Sequence, residues 1–180
     1  MHFEVVQGLF PNVVVPQGNG GKEQVLLSLF PGYERRNGHM YDVINPATGH
    51  RIEFKATKDP RGGLFLGHQK YVDLTDEEKT IDFKLFIYHE ETGEILIIIT
   101  LSSEDIARLF VSEKVAEACR AIRAADSKLH VTKSVQLFPK LKYSNKNKKN
   151  PLNELVPALK SAGYEERSFE GSSQFFKEHV

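Results

Sequence analysis

The run ILIIITL at residues 95–101 constrains the fold more than any other segment. It is far shorter than the roughly 20 apolar residues that cross a bilayer. Its β-branched side chains favour an extended chain over a helix. A strand that is apolar on both faces must be covered on both, so this run reads as a central strand of a sheet. The segment before it, IDFKLFIYH, places Ile81, Phe83, Leu85 and Ile87 at every second position, and Glu91-Thr92-Gly93 lies between the two. That is the signature of a β-hairpin.

A second hairpin is expected earlier. MYDVI and HRIEFKAT flank Asn45-Pro46-Ala47-Thr48-Gly49, a turn-rich loop. Before it, a Gly-rich turn precedes a short helix with Val25, Leu26 and Leu29 on its inner face, and Pro31-Gly32 stops that helix. The stretch DPRGGLFLGHQKY reads as a glycine-broken loop or irregular strand. After the central strand, Ser102 is placed as an N-cap with Asp105 at the capping-box position. Ile106, Leu109, Phe110, Val115, Cys119 and Ile122 then recur at helical spacing, as one long helix or two joined near Ser112. KLHVTKSVQLFPKLKY reads as a further strand pair, YSNKNKKNP as a polar linker, and LNELVPALKSAGY as a short helix interrupted by Pro157. Helices interspersed with strands in this order predict a mixed central sheet flanked by helices, in the α/β or α+β class.

A length of 180 residues accommodates one domain with a sizeable core. The single cysteine, Cys119, excludes an internal disulfide, falls in an apolar helical pattern, and fits a reducing, cytoplasmic setting. The start MHFEVVQGLF lacks a basic region and a small-residue cleavage site, so a signal peptide is not expected there. Net charge is +0, which excludes a generic polycation. The charges are nevertheless segregated. Lys133, Lys140, Lys142, Lys146, Lys148 and Lys149 follow one another with no acid between them, while Asp73, Asp76, Glu77, Glu78, Asp82, Glu90, Glu91 and Glu94 make the middle acidic. The basic segment is either a solvated loop or a local polyanion-binding surface.

The first hairpin carries the most suggestive chemistry. Side chains of a strand alternate between faces, so Ile52, Phe54 and Ala56 are expected to pack inward while Arg51, Glu53 and Lys55 share the other side. Asp42 and Glu53 are hard oxygen donors of the kind Mg²⁺ accepts, and the backbone carbonyl of Phe54 could add another. Lys55, two residues beyond Glu53, can orient or help deprotonate a water and can offset charge building on a phosphate. The same residues could equally form a solvated polar face. No P-loop, dinucleotide fingerprint or Ser/Cys nucleophile motif occurs, and His2, His39, His50, His89, His130 and His179 lack zinc-ligand spacing.

The flanks of the hairpin add a resemblance. NGGKEQVLL, then PGYE, then the Asp42 hairpin ending in IEFKAT is similar to the PvuII-like type II restriction endonucleases of the PD-(D/E)xK nuclease superfamily. FKLFIYHEETGEILIIITLSSEDI resembles the hairpin-then-helix element that follows in that family. The likeness covers roughly residues 16 to 112, with a fainter echo to about 143. It implies a restriction-endonuclease-like core, with Asp42 and Glu53 as metal ligands, Lys55 as the catalytic lysine, Mg²⁺ as cofactor and Glu34 as a more peripheral acid. It also implies a homodimer cutting double-stranded DNA at a short, palindromic site, with a cognate DNA methyltransferase encoded elsewhere and not bound as a subunit. Residues 1–143 would form the nuclease domain, and 144–180 a C-terminal extension packed on or beside it. His68 and Gln69 lie near the family's base-reading segment. Lys140, Lys142, Lys146 and Lys148 would touch phosphates, and Asn19 and Lys22 could hold one at a helix start. The chain departs from the pattern in several ways: the spacing from Glu34 to Asp42 is longer, Lys22 stands closer to Gln24, Tyr41 stands where the eponymous proline would be, the family's N-terminal dimerisation region is largely missing, and the residues from about Ser144 have no counterpart. Two other readings are a structure-specific repair or junction-resolving nuclease on the same fold, and a non-catalytic DNA-binding protein.

Overall fold

The computed structural model of this chain describes residues 1–16, 27–36, 41–59, 64–67, 81–105, 134–138 and 149–169, with backbone only for 64–67 and 134–138. Among these residues seven strands form one mixed sheet in the order β2-β3-β4-β6-β7-β1-β9. The strands are β1 (His2–Val5), β2 (Glu34–Arg35), β3 (Val43–Ile44), β4 (Arg51–Thr57), β6 (Ile81–Tyr88), β7 (Ile95–Leu101) and β9 (Glu165–Glu166). A separate pair joins β5 (Leu64–Gly67) to β8 (Ser134–Phe138), and helix α1 spans Leu152–Ser161. The class is mixed α+β, as expected.

Both hairpins form where the turn residues place them. Val43 pairs with Ile52 antiparallel across the Asn45–Gly49 turn, where the Asn45 side chain accepts a hydrogen bond from the Ala47 N–H at 3.0 Å. β6 and β7 pair antiparallel around Gly93. Glycine is required there twice over. Its φ is +71°, and a Cβ would lie 2.6 Å from both Val14 Cγ1 and the Val15 carbonyl oxygen. The close approach exists because Val15 N–H donates to the Gly93 carbonyl at 2.8 Å, which ties the N-terminal segment to the turn.

Every residue of β7 is buried, so the strand is covered on both faces. On one face Ile52, Phe54, Phe86, Tyr88 and Ile98 pack with Val6, Phe10, Val15 and Leu29. Phe30 lies against the rings of Phe54 and Phe86, with centroids 5.5 and 6.3 Å away, and so pins the segment before Pro31 under β4. On the other face Phe3, Leu85, Ile87, Ile97 and Ile99 meet Leu155 and Leu159 of α1 and Tyr164 beyond it. Each such side chain contributes about 1.5–3 kcal/mol by leaving water. The C-terminal segment thus shares the core of the sheet, and β9 adds a parallel strand beside β1.

One local expectation needs correction. The helix at 152–161 runs through Pro157 instead of breaking there. The ring blocks only the bond to the Asn153 carbonyl, and both residues are exposed, so water can satisfy that oxygen. Among the described residues the strand at 134–138 pairs with Leu64–Gly67, in the segment read as a broken loop or irregular strand. β4 and β6 lie parallel and adjacent over seven residue pairs, Arg51 with Ile81 through Thr57 with Ile87, a pairing that local patterns do not address. A parallel neighbour demands a long crossover, which is the role of the chain between them.

The capping box at the end of β7 forms as read. Ser102 N–H donates to Asp105 Oδ2 at 2.9 Å, and Asp105 N–H donates back to Ser102 Oγ at 3.1 Å. The residues 106–122 expected to continue as a helix, with Cys119, lie outside the described residues, as do Val25 and Leu26 of the short helix expected before Pro31. No helix among the described residues is long and apolar enough to cross a membrane.

Candidate active site

The site is built where β3 stops pairing with β4. Asp42 immediately precedes β3, and its N–H donates to the Ile52 carbonyl at 3.1 Å, which extends the ladder by one step. There the chain bends, and the next β4 amide has no strand opposite it among the described residues. The Asp42 side chain takes that place: Phe54 N–H donates to Asp42 Oδ2 at 2.7 Å. Within a strand the N–H and C=O of one residue point to the same side. The Phe54 carbonyl therefore faces the edge occupied by the Asp42 carboxylate.

Glu53 lies on the opposite side chain face from Ile52 and Phe54, beside Phe83 of β6. It is only 2% exposed, so the acidic hairpin is not simply a solvated surface. Ile52 and Phe54 pack inward and Ala56 lines the same core, as the alternation predicts. Lys55 Nζ donates to Glu53 Oε1 at 2.6 Å. The Asp42 and Glu53 carboxyl groups are within hydrogen-bonding reach of one another. Burial, reinforced by the Glu53 charge, pushes the Asp42 carboxyl from the ordinary 3.8 up to about 6, against the opposing pull of the Phe54 N–H and Lys55. Two carboxylates crowded in a dehydrated position, with a backbone carbonyl on the same edge, make an all-oxygen donor set that suits Mg²⁺. The crowding itself favours such an occupant, since a divalent cation between the two acids would relieve it.

Among the described residues no three His, Cys, Asp or Glu side chains come together as a metal-holding group, so Glu34 does not join the pair. It stands on the edge strand β2, on the same face but farther out, with its carboxylate 3.9 Å from Arg36. Asn19, Lys22, His68, Gln69, Lys140, Lys142, Lys146 and Lys148 lie outside the described residues.

Two features have no counterpart in the sequence pattern. The Arg51 guanidinium lies over the Tyr41 ring, 5.6 Å from its centroid, next to Asp42. On the reverse face, Tyr33 Oη is 2.6 Å from His50 Nδ1 and His50 Nε2 is 2.7 Å from Asp82 Oδ2. Asp82 Oδ1 also accepts the Ser103 N–H at 3.1 Å. With the proton on Nε2, the imidazole donates to Asp82 and accepts from the phenol. This chain ties the turn that presents Asp42 and Glu53 to the start of β6 and to the capping box. His50 and Asp82 are 32 residues apart in the chain, so only the parallel pairing of β4 with β6 brings them together.

Comparison of the chain with protein-family models, with curated proteins and with solved structures finds no match.

Proposed function

We propose that the protein is a Mg²⁺-dependent nuclease with a PD-(D/E)xK-type site, acting as a type II restriction endonuclease on double-stranded DNA. The observation that carries this reading is the meeting of Asp42, Glu53 and Lys55 where β4 runs past its pairing with β3, with Lys55 held 2.6 Å from a buried Glu53. The core around it would then be a restriction-endonuclease-like fold, with residues 144–180 as an extension of the same domain.

In this reading Asp42, Glu53 and the Phe54 carbonyl would hold the cation. Bound Mg²⁺ supplies Lewis-acid chemistry toward the phosphate being attacked. Phe54 N–H fixes the orientation of the Asp42 carboxylate, and burial of Glu53 keeps its carboxylate in one place. Lys55 orients the attacking water and offsets negative charge as it grows on the phosphate. The reaction forms a phosphorus–oxygen bond from water and breaks one ester bond of the backbone. A homodimer would place one such site on each strand, and two-fold symmetry would select a palindromic target.

The test is digestion of a long, fully sequenced, unmethylated DNA with Mg²⁺ and with EDTA, beside the Lys55→Ala variant. Discrete fragments that require both Mg²⁺ and Lys55 are expected, and sequencing their ends would give the target. A smear, or cutting confined to branched DNA, would replace the restriction enzyme with a structure-specific nuclease. Binding without any cutting would reduce the site to a scaffold.

A further inference from the structure

The Tyr33–His50–Asp82 chain lies on the face of the sheet opposite Glu53 and Lys55, so the metal reading makes no use of it. Three separate parts of the fold bring its members together. Asp82 lies beside Ile52 in the β4–β6 pairing, and His50, two residues before Ile52, shares that face. Tyr33 is set by the turn after Phe30. Its N–H donates to the Phe30 carbonyl at 3.3 Å, and its ring stands across the Phe30 ring with centroids 6.0 Å apart.

The order of groups is that of an activated nucleophile. A hydroxyl lies within hydrogen-bond reach of one imidazole nitrogen, and a carboxylate orients the other. Tyr33 Oη is 2.6 Å from His50 Nδ1, and His50 Nε2 is 2.7 Å from Asp82 Oδ2. Asp82 is itself held, because its Oδ1 accepts the Ser103 N–H at 3.1 Å. The imidazole can therefore take the phenol proton without turning, and the imidazolium that results faces Asp82. Tyr33 is partly exposed and His50 is 37% exposed, so an electrophile can reach the pair from solvent.

The Tyr33 hydroxyl stays protonated at rest. Burial raises its pKa first and the Asp82 charge second, with a hydrogen bond from the Asn45 side chain working against them. Removal of the proton has to accompany attack, which is the task of a general base. The Asn45 oxygen is taken by the Ala47 N–H, and its Nδ2 lies where a Cβ on Gly32 would be 3.9 Å away. The amide donors are thus left to stabilise charge on the Tyr33 oxygen. The Asp82 charge also selects the substrate class. It opposes an approaching phosphate and leaves a neutral carbonyl group unopposed.

We propose that Tyr33, His50 and Asp82 form a second reactive site, in which Tyr33 is a nucleophile that accepts an acyl group from a neutral activated ester. The Tyr33 oxygen bonds to the carbonyl carbon, and the bond from that carbon to the leaving oxygen breaks. The phenol proton passes to His50 Nδ1 and from there to the departing oxygen. Asp82 acts through His50 as a positioning residue. The site needs no metal and stands apart from the nuclease reading.

The test treats the intact protein in EDTA with p-nitrophenyl acetate, follows release of p-nitrophenol and maps the acetyl groups by peptide mass spectrometry. Tyr33 should be acetylated about 100-fold faster than the other tyrosines of the chain. Tyr33→Phe keeps the ring and should remove the fast phase of release. His50→Gln should slow labelling of Tyr33 by about 100-fold, with the other tyrosines unchanged. Asp82→Asn keeps an oxygen for Nε2 while removing the charge that steadies the imidazolium. Slower Tyr33 labelling in this variant, read well below its melting temperature, is an effect that a purely structural tie would not produce. Acetylation of Tyr33 no faster than of the other tyrosines would overturn the proposal, as would an unchanged rate in folded His50→Gln. The wild-type map needs no variant, so it decides even where a substitution prevents folding. p-Nitrophenyl phosphate should leave Tyr33 unlabelled, and phosphorylation at a comparable rate would overturn the assignment to acyl groups.

Discussion

Replacing Asp42 by Asn should stabilise the metal-free protein. The Asp42 carboxylate stands in a half-buried position beside Glu53, and its pKa rises from 3.8 to about 6 through burial first and the neighbouring charge second. That rise corresponds to about 3 kcal/mol of cost in holding the ionised form, if none of it is screened. Solvent reaches part of the group, so about 1–2 kcal/mol is the realistic share. Asparagine keeps an oxygen to accept the Phe54 N–H and offers its amide to Glu53, so the geometry survives without the second negative charge. In EDTA at pH 8 the variant should unfold about 2–8 °C higher, at the usual 2–4 °C per kcal/mol for a chain of this size. The sign follows from proton counting. Between pH 4 and 6 the folded protein retains a proton that the unfolded chain has released, so wild-type stability falls as pH rises through this window. The advantage of Asp42→Asn should therefore vanish near pH 4 and reach its full size above about 6.5. Under the metal reading Mg²⁺ reverses the ranking, since ligand at 100 times its Kd adds about 2.7 kcal/mol to the protein that binds it. Urea or thermal melts across pH, with and without Mg²⁺, would decide. A variant no more stable than wild type at pH 8 in EDTA, or a gap independent of pH, would refute the reasoning.

Lys55→Ala should abolish Mg²⁺-dependent cutting and also cost about 1–3 kcal/mol in a melt, because it leaves the buried Glu53 carboxylate without its ammonium partner. Gly93→Ala should destabilise by about 1–3 kcal/mol in urea, because it strains a residue at φ +71° and drives a Cβ into the Val15 carbonyl; Gly49→Ala, at a similar φ but in open space, should cost less. Tyr33→Phe and Asp82→Ala each remove one hydrogen-bond partner of His50, and the double variant should cost measurably less than the sum of the singles, since one shared imidazole links them.

Both hairpins are legible in the sequence because their information is local. Gly49 and Gly93 mark the turns, and the alternation about Glu53 and Ile81 fixes which side chains turn inward. The two-residue period of a strand is by itself enough to put Glu53 and Lys55 together on one face. The burial of Glu53 is not legible, because it depends on β6 lying parallel beside β4, and that pairing is set by a crossover whose path no local pattern encodes. The same non-local step hides the His50–Asp82 contact and the pairing of Leu64–Gly67 with Ser134–Phe138. Pro157 misleads for a different reason. A proline inside a helix removes one hydrogen bond, and at an exposed turn water replaces it, whereas Leu155 and Leu159 anchor the helix from the buried side. The stack of Arg51 on Tyr41 carries no sequence signal, since it depends on the bend between Tyr41 and Val43.

The position of the pair within the sheet explains why its chemistry and its instability go together. One edge of β4 is fully occupied, since all seven of its residues pair with β6. The other edge pairs with β3 at Arg51 and Ile52, after which a polar backbone edge begins among the described residues. Had β3 continued, its amides and carbonyls would have satisfied that edge and left no opening. A side chain carboxylate at Asp42 satisfies the Phe54 N–H and brings a charge to the spot where the Phe54 carbonyl also points. Glu53, fixed by the rigid β4–β6 pairing, adds the second charge without any freedom to move away. The two charges oppose one another in the metal-free protein, and under the metal reading a cation between them would turn that opposition into attraction. The strain that Asp42→Asn would relieve is thus the same interaction that a divalent ion would use, and stability gained by that substitution should be lost as metal affinity.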